Sequence, residues 1–296
     1  MNMPKPKSAL TPKSELPWSF WDAAIRFIFY YGLILIFMMV FQLGLPNLVS
    51  LANITINTYV VEATVVGVVG FLLTYIFLTF DQKKLSSLGF KLHKRFLVLI
   101  IIALVVTTIA LSFAYYIEHL GGVVDFNKMW DGRYHIEDLS RPNQLIDYLV
   151  IVFITFFGIA IGEEIMFRGY LQHIFESQTN VIMATLFSSI LFGLLHSFLL
   201  LASSVQVIQS MVAVGISATI FGFVFTYASK ISGKNLTLPI LIHGIWNNII
   251  FFFNTQFNYE NIGNIMAEIT SQIVAACVLI GLLFIINRYT DLIRSD

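Results

Sequence analysis

The stretch "AIGEEIMFRGYL", Ala160–Leu171, places two glutamates and an arginine inside an otherwise apolar run. The residues on both sides are mostly Ile, Phe, Val and Leu, and the whole run is long enough for a membrane-spanning helix. A charge near the centre of a bilayer costs about 2.5–3.5 kcal/mol on the mildest scale. Charged side chains kept at that depth are therefore expected to pair with one another or to carry out a function.

The composition of the whole chain indicates a polytopic membrane protein. Of its 296 residues, 57% are hydrophobic and only 11% are charged, whereas about 25% of the residues in a soluble domain are charged. The formal net charge of zero argues against a nucleic-acid partner. The single cysteine, Cys277, excludes a disulfide framework and a cysteine-based zinc site. It lies in an apolar run and is expected to be a buried small side chain.

Hydropathy predicts an all-α membrane protein, a bundle of about eight transmembrane helices, because a spanning helix needs about 20 apolar residues. The predicted spans are residues 20–45, 61–80, 96–117, 146–172, 181–200, 210–229, 236–254 and 265–286. The first span is longer than a signal-peptide core and is not followed by a small-x-small cleavage pattern, so it is expected to be retained.

The distribution of positive charge predicts that both termini are cytoplasmic, because cytoplasmic loops carry an excess of Lys and Arg. With eight spans, one face of the membrane receives Lys5, Lys7, Lys13, Lys83, Lys84, Lys91, Lys94, Arg95, Lys230, Lys234, Arg288 and Arg294. The other face receives Lys128, Arg133 and Arg141, in a loop at 118–144 that also holds Glu118, Asp125, Asp131, Glu137 and Asp138. The short tail, without eukaryotic signals, favours a bacterial cell membrane.

Four regions follow from this organisation. They are a disordered cytoplasmic tail (1–19), N-terminal transmembrane helices with an extracytoplasmic loop (20–144), a helical core (145–254), and a C-terminal helix with a short tail (255–296). The loop at 118–144 is the one sizeable extramembrane segment, and a connector without a site is preferred for it over a substrate-binding role.

Three polar clusters interrupt the apolar spans. The first is Glu163, Glu164 and Arg168 in span four. The second is "FGLLH", Phe192–His196, in span five, and the third is "HGIWNN", His243–Asn248, in span seven. Of the six histidines, only His196 and His243 lie well within spans. These clusters predict a polar cavity inside the membrane.

Helical geometry separates the two glutamates. Glu164 and Arg168 are i,i+4 neighbours on one face and can form an ion pair. Glu163 projects about 140° away from Arg168 at the α-helical angle per residue. The arginine is therefore expected to neutralise Glu164 and to leave Glu163 free to face a polar interior.

Residues of the first two clusters are predicted to lie at the same depth in the membrane. Glu163 and His196 each lie about 16 residues from the turn at 177–180, so both are about 25 Å from it along neighbouring helices. His243 and Asn247 are i,i+4 on one face of span seven. An acid, two imidazoles and an amide can together activate water and stabilise an oxyanion.

Less specific roles are open for each residue taken alone. A single intramembrane histidine can form an interhelical hydrogen bond, an asparagine can join helices, and an Arg–Glu pair can be a structural clamp. At the level of function, the alternatives to an enzyme are a non-catalytic scaffold and an ion-coupled transporter. The transporter is less favoured because the sequence has no evident repeat symmetry and lacks several Gly/Pro-broken helices.

The motifs Glu163-Glu164-x-x-x-Arg168, Phe192-x-x-x-His196 and His243-x-x-x-Asn247 resemble the motif series of a known family. This is the CAAX-protease and bacteriocin-processing (CPBP, or Abi) family of intramembrane proteases, which includes type II CAAX prenyl endopeptidases and lysostaphin-resistance-like proteins. The resemblance covers roughly Asp147 to Phe253, and the motifs occur in the family's order.

The resemblance implies an intramembrane endopeptidase that acts on membrane-associated peptides or proteins at the lipid bilayer. Glu163 and His196 match the residues expected to activate water, His243 and Asn247 the expected oxyanion pair, and Glu164 and Arg168 the supporting pair. A non-catalytic scaffold or bacteriocin self-immunity protein with the same fold is the alternative, and the oligomeric state stays open.

A divalent metal is an open alternative, with Glu163, His196 and His243 as the ligands of a zinc ion. A metal-optional mechanism is preferred for two reasons. Using Glu163 as a ligand would leave no uncommitted base, and the chain lacks H-E-x-x-H, which supplies ligands and base together.

Overall fold

The computed structural model describes residues 19–52, 58–124, 142–199, 207–252 and 262–294. All regular secondary structure in these ranges is helical. The predicted tail, apart from Ser19, lies outside the described residues, as do residues 125–141 of the predicted loop. The predicted all-helical fold class is confirmed for the part of the chain that the structure describes.

Eight long helices occupy the positions of the eight predicted spans. They are α1 (Phe20–Ala52), α2 (Thr58–Phe80), α3 (Phe96–Leu120), α4 (142–178), α5 (Val181–Leu199), α6 (Val207–Ile231), α7 (Thr237–Phe252) and α8 (Ile262–Tyr289). By length and composition, six of the described helices can cross a membrane. The other two are shorter: the apolar segment of α2 is Thr64–Phe80, and α7 has 16 residues.

Helix α4 changes its winding around the two glutamates. It is α-helical over Pro142–Phe153, π-helical over Ile154–Ala160, α-helical over Ile161–Glu164, π-helical over Ile165–Leu171 and α-helical over Gln172–Gln178. The single α-helical turn with Glu163 and Glu164 is therefore bracketed by two wider segments. Short π-helical segments occur frequently at functional sites.

Helices α2 and α4 touch backbone to backbone through glycines. A Cβ added to Gly162 would overlap the carbonyl oxygen of Gly67, and one added to Gly67 would overlap that of Gly158. Gly158 and Gly162 are four residues apart, the spacing by which small residues let membrane helices approach closely. This contact fixes the depth and rotation of α4 just before its glutamates.

Helix α4 supplies the centre of the bundle. All residues from 162 to 172 are buried, including both glutamates and Arg168. The outer helices instead expose large apolar side chains such as Phe29 on α1, Leu97 on α3 and Phe284 on α8. The charges of α4 are therefore enclosed by protein, and the exposed surface is suited to lipid.

Two sequence expectations are wrong. Glu118, counted as a loop acid, lies in the last turn of α3, where its Oε1 accepts hydrogen bonds from Ser271 Oγ (2.6 Å) and Gln272 Nε2 (3.2 Å) of α8. Polar partners on another helix make this burial possible.

Cys277, expected to be buried, is exposed on α8. Lipid is as apolar as a protein core, so an apolar run does not tell which residues face inward.

Candidate functional site

Glu163 is fully buried in α4, and it faces two histidines from other helices. Its Oε2 lies 3.7 Å from Nε2 of His196 on α5 and 3.7 Å from Nε2 of His243 on α7. Neither carboxylate oxygen has a hydrogen-bond partner among the described residues. These separations are too long for direct hydrogen bonds but short enough for one water molecule to bridge the groups.

His196 is oriented by its own helix. Its Nδ1 lies 2.9 Å from the carbonyl oxygen of Phe192, one turn earlier. A carbonyl oxygen only accepts hydrogen bonds, so Nδ1 carries the proton and donates it. In the neutral imidazole, Nε2 then presents a lone pair towards Glu163. The 3.7 Å distance between Nε2 of His196 and Oε2 of Glu163 confirms the prediction that the two residues lie at equal depth.

His243 is oriented by a different helix. Its Nδ1 donates to Oε1 of Glu164 at 2.9 Å. Its ring stacks on Phe225 of α6, with a centroid distance of 4.7 Å and an interplanar angle of 14°. The ring of Phe192 also packs against the His243 ring in an edge-to-face arrangement, with a centroid distance of 5.9 Å. The two histidines therefore face Glu163 with the same atom, but a carbonyl orients one and a carboxylate orients the other.

The predicted ion pair between Glu164 and Arg168 is present. Nη1 of Arg168 lies 3.1 Å from Oε1 of Glu164, and both side chains are 0% exposed. The guanidinium carbon also lies 4.2 Å from the ring centroid of Phe192 and 5.0 Å from that of Phe225. Ring faces thus surround a guanidinium whose Nε and Nη2 have no hydrogen-bond partner within the described ranges.

The two asparagines of α7, Asn247 and Asn248, differ in their positions and contacts. Asn247 is half-buried and lies one turn after His243 on α7. Asn248, on the next face, accepts a hydrogen bond from the hydroxyl of Tyr148 at 3.2 Å. Its oxygen therefore points to the beginning of α4.

Two features of this site were missed by sequence reasoning. The bond between Glu164 and His243 joins residues 79 positions apart, and no local spacing predicts it. Phe225 lies in α6, a helix without a recognised motif. Its i,i+4 spacing to Phe221 is the one available indication, and it marks an aromatic face without indicating what the face contacts.

The fold and this site define an integral membrane protein with a polar centre enclosed by its helices. Residues 145–249 match the family described as type II CAAX prenyl endopeptidase Rce1-like. The match spans α4 to α7 and includes all six predicted site residues. It confirms the resemblance indicated by the motifs, and it supports a CAAX-type intramembrane protease fold for this segment. No curated protein matches the chain.

Two imidazoles and a carboxylate are the donor types of a catalytic zinc site. Within the described residues, however, no three His, Cys, Asp or Glu side chains are arranged as a metal-ligand group. Both Nε2 atoms lie 3.7 Å from Oε2 of Glu163. A zinc ion held by Glu163, His196 and His243 stays an alternative for this site.

Proposed function

We propose that the protein is an intramembrane endopeptidase that hydrolyses peptide bonds of membrane-associated peptides or proteins with a water activated by Glu163. One observation carries the proposal: a fully buried carboxylate without hydrogen-bond partners among the described residues lies between two imidazole nitrogens. Such a group is costly to bury, and its position suits a general base.

Glu163 and His196 act on the water. A water molecule between them donates one hydrogen to the carboxylate of Glu163 and the other to the lone pair on Nε2 of His196. Glu163 takes its proton as the water oxygen attacks the scissile carbonyl carbon. His196 orients the water, because its own Nδ1 is held by the carbonyl of Phe192.

His243 and Asn247 stabilise the oxyanion that forms at the carbonyl oxygen. Nε2 of His243 and the amide nitrogen of Asn247 donate hydrogen bonds to it. Donation from both nitrogens of His243 requires the imidazolium form. The charges then balance, because the positive charges of His243 and Arg168 offset the negative charges of Glu163 and Glu164. Charges buried together in this way are tolerated only when they are paired.

The intermediate collapses when Glu163 returns its proton to the leaving nitrogen. The carbon–nitrogen bond breaks, and the products are a new carboxyl terminus and a new amino terminus. No step requires a metal. A zinc ion held by Glu163, His196 and His243 is the alternative, in which the metal would polarise the water, and metal content distinguishes the two mechanisms.

Substrates are expected to be peptides that reach the site from the bilayer. Peptide pheromones, bacteriocin precursors and membrane proteins fit a bacterial cell membrane better than prenylated CAAX proteins do. The catalytic region is expected to be 145–254. A non-catalytic scaffold or self-immunity protein with the same fold is the alternative function, and it would retain the polar centre without turnover.

The decisive experiment compares purified wild type with Glu163→Gln in detergent, using quenched fluorescent peptides derived from pheromone precursors, bacteriocin precursors and membrane proteins. Wild type should cleave, with products located by mass spectrometry, and Glu163→Gln should fall to background while keeping its elution profile and melting temperature. Glu176→Gln on the same helix is the matched control, because Glu176 pairs with Lys234 away from the site. Wild-type turnover by Glu163→Gln would refute the proposal, and a folded but inactive wild type would favour the scaffold.

A further inference from the structure

We propose that Phe225 is a positioning residue, whose ring face holds His243 and Arg168 in the arrangement that the reaction needs. The inference rests on the function proposed above and adds a residue of α6 to the site. Phe225 is 1% exposed, and it lies outside the three motifs that indicated the site.

The stacking contact fixes a degree of freedom that hydrogen bonding leaves open. A single hydrogen bond from Nδ1 to Glu164 holds one atom of the His243 ring, and the ring can still turn about that bond. Phe225 packs nearly parallel to it, at 14° and 4.7 Å. The ring plane is thereby set, and with it the direction in which Nε2 donates.

The same ring also supports Arg168. The guanidinium carbon lies 5.0 Å from the centroid of Phe225, within the range in which an aromatic face attracts a cation. Arg168 has one carboxylate partner, Glu164, and two donor atoms without hydrogen-bond partners in the described part of the chain. The negative ring face therefore stabilises a buried cation that hydrogen bonds satisfy incompletely.

Both contacts lead to the same atom. Arg168 and His243 share Oε1 of Glu164, so a shift of either changes the position of the other. A displacement of about 1 Å in a catalytic group can cost about a hundredfold in rate. Phe225 thus acts through His243 without touching the substrate, and its loss should affect the chemical step.

Phe221 is a matched control one turn earlier on α6. It is also a buried phenylalanine, but its ring packs mainly on Trp246, with a centroid distance of 4.0 Å, and meets Phe225 as a tilted ring at 5.9 Å. The same substitution at the two positions removes the same group, and only position 225 is stacked on His243.

The sharpest test replaces Phe225 with a ring-trifluorinated phenylalanine. Fluorination weakens the negative ring face and nearly preserves the shape of the ring. We expect kcat to fall about tenfold with KM unchanged, and the same replacement at Phe221 to leave kcat unchanged. Phe225→Leu should lose about a hundredfold in kcat, whereas Phe225→Tyr, which keeps the ring, should retain most of it. Equal effects at the two positions would overturn the inference.

A second readout does not depend on turnover. The His243 imidazole signal in an NMR spectrum, assigned by its loss in His243→Gln, carries a ring-current shift from Phe225. Phe225→Leu should remove the shift and Phe221→Leu should leave it unchanged. An unchanged signal in Phe225→Leu would refute the positioning role even if the protein cleaves no tested peptide. Conversely, turnover by Glu163→Gln would refute the proposed function and leave this contact intact.

Discussion

Oε1 of Glu164 accepts a hydrogen bond from Nδ1 of His243 at 2.9 Å and lies 3.1 Å from Nη1 of Arg168. One carboxylate oxygen of Glu164 therefore joins α4 to α7 and contacts both Arg168 and His243. The carboxylate oxygens of its neighbour Glu163 have no hydrogen-bond partner within the described ranges. Two adjacent glutamates on one helix thus differ in their partners. We therefore expect mutation of Glu164 to affect stability and mutation of Glu163 to affect turnover.

Replacing Glu164 with Gln should destabilise the fold. The change leaves Arg168 without its counter-charge in the protein interior, and breaking one partner of a buried ion pair typically costs about 3–5 kcal/mol. Thermal unfolding in detergent measures the effect. Glu163→Gln is the control, and it should unfold near the wild-type temperature because Glu163 makes no ion pair with a permanently charged residue. Equal folding defects in the two variants would mean that the glutamates do not have separate roles.

Replacing Asn247 with Ala should slow the chemical step. Loss of one oxyanion donor typically lowers kcat by about 10²–10³. A donor that acts only in the transition state lowers kcat and kcat/KM together and leaves KM unchanged. Steady-state kinetics on a cleaved peptide measures both. Asn248→Ala should have a smaller effect, because Asn248 bonds to Tyr148.

Metal content of the same variants separates the two mechanisms. Purified wild type, Asn247→Ala and His243→Ala should contain the same amount of zinc if both residues are oxyanion donors. Removal of a stoichiometric zinc by either substitution would contradict that assignment. The zinc alternative, with Glu163, His196 and His243 as ligands, would then replace it.

Replacing Gly162 with Ala should weaken the contact between α2 and α4. The added methyl group would overlap the backbone of Gly67, and overpacking of this kind typically costs about 1–3 kcal/mol. Gly32→Ala is the matched control on α1, where an added Cβ has no neighbour within 4 Å. The Gly162 variant should melt below wild type and the Gly32 variant should not. Equal melting temperatures would argue against close packing at Gly162.

Cysteine labelling tests the orientation of the chain. In a Cys277→Ser background, cysteines at Ser86 and Ser140 should react with membrane-impermeant reagents from opposite sides. The charge distribution places Ser86 in the cytoplasm. Labelling of both positions from one side would contradict the eight-span topology.

Several properties could be predicted because they are local in the chain. Hydropathy depends on each segment's own composition, so the eight helices were identified without knowledge of their neighbours. The pairing of Glu164 with Arg168 follows from spacing along one helix. The contact of Glu163 with His196 follows from equal distances to one turn, because a short connection makes neighbouring helices antiparallel.

Other properties were decided by tertiary structure, because they depend on how each helix is rotated against the others. The burial of Glu118 depends on donors from α8, and the exposure of Cys277 depends on which face of α8 meets lipid. Lipid is as apolar as the core, so hydropathy cannot distinguish these faces. Spacing along the chain is enough to predict which residues lie at the depth of the site. Only packing, including the glycine contact between α2 and α4, decided that Glu164 orients His243 and that Phe225 stacks on it.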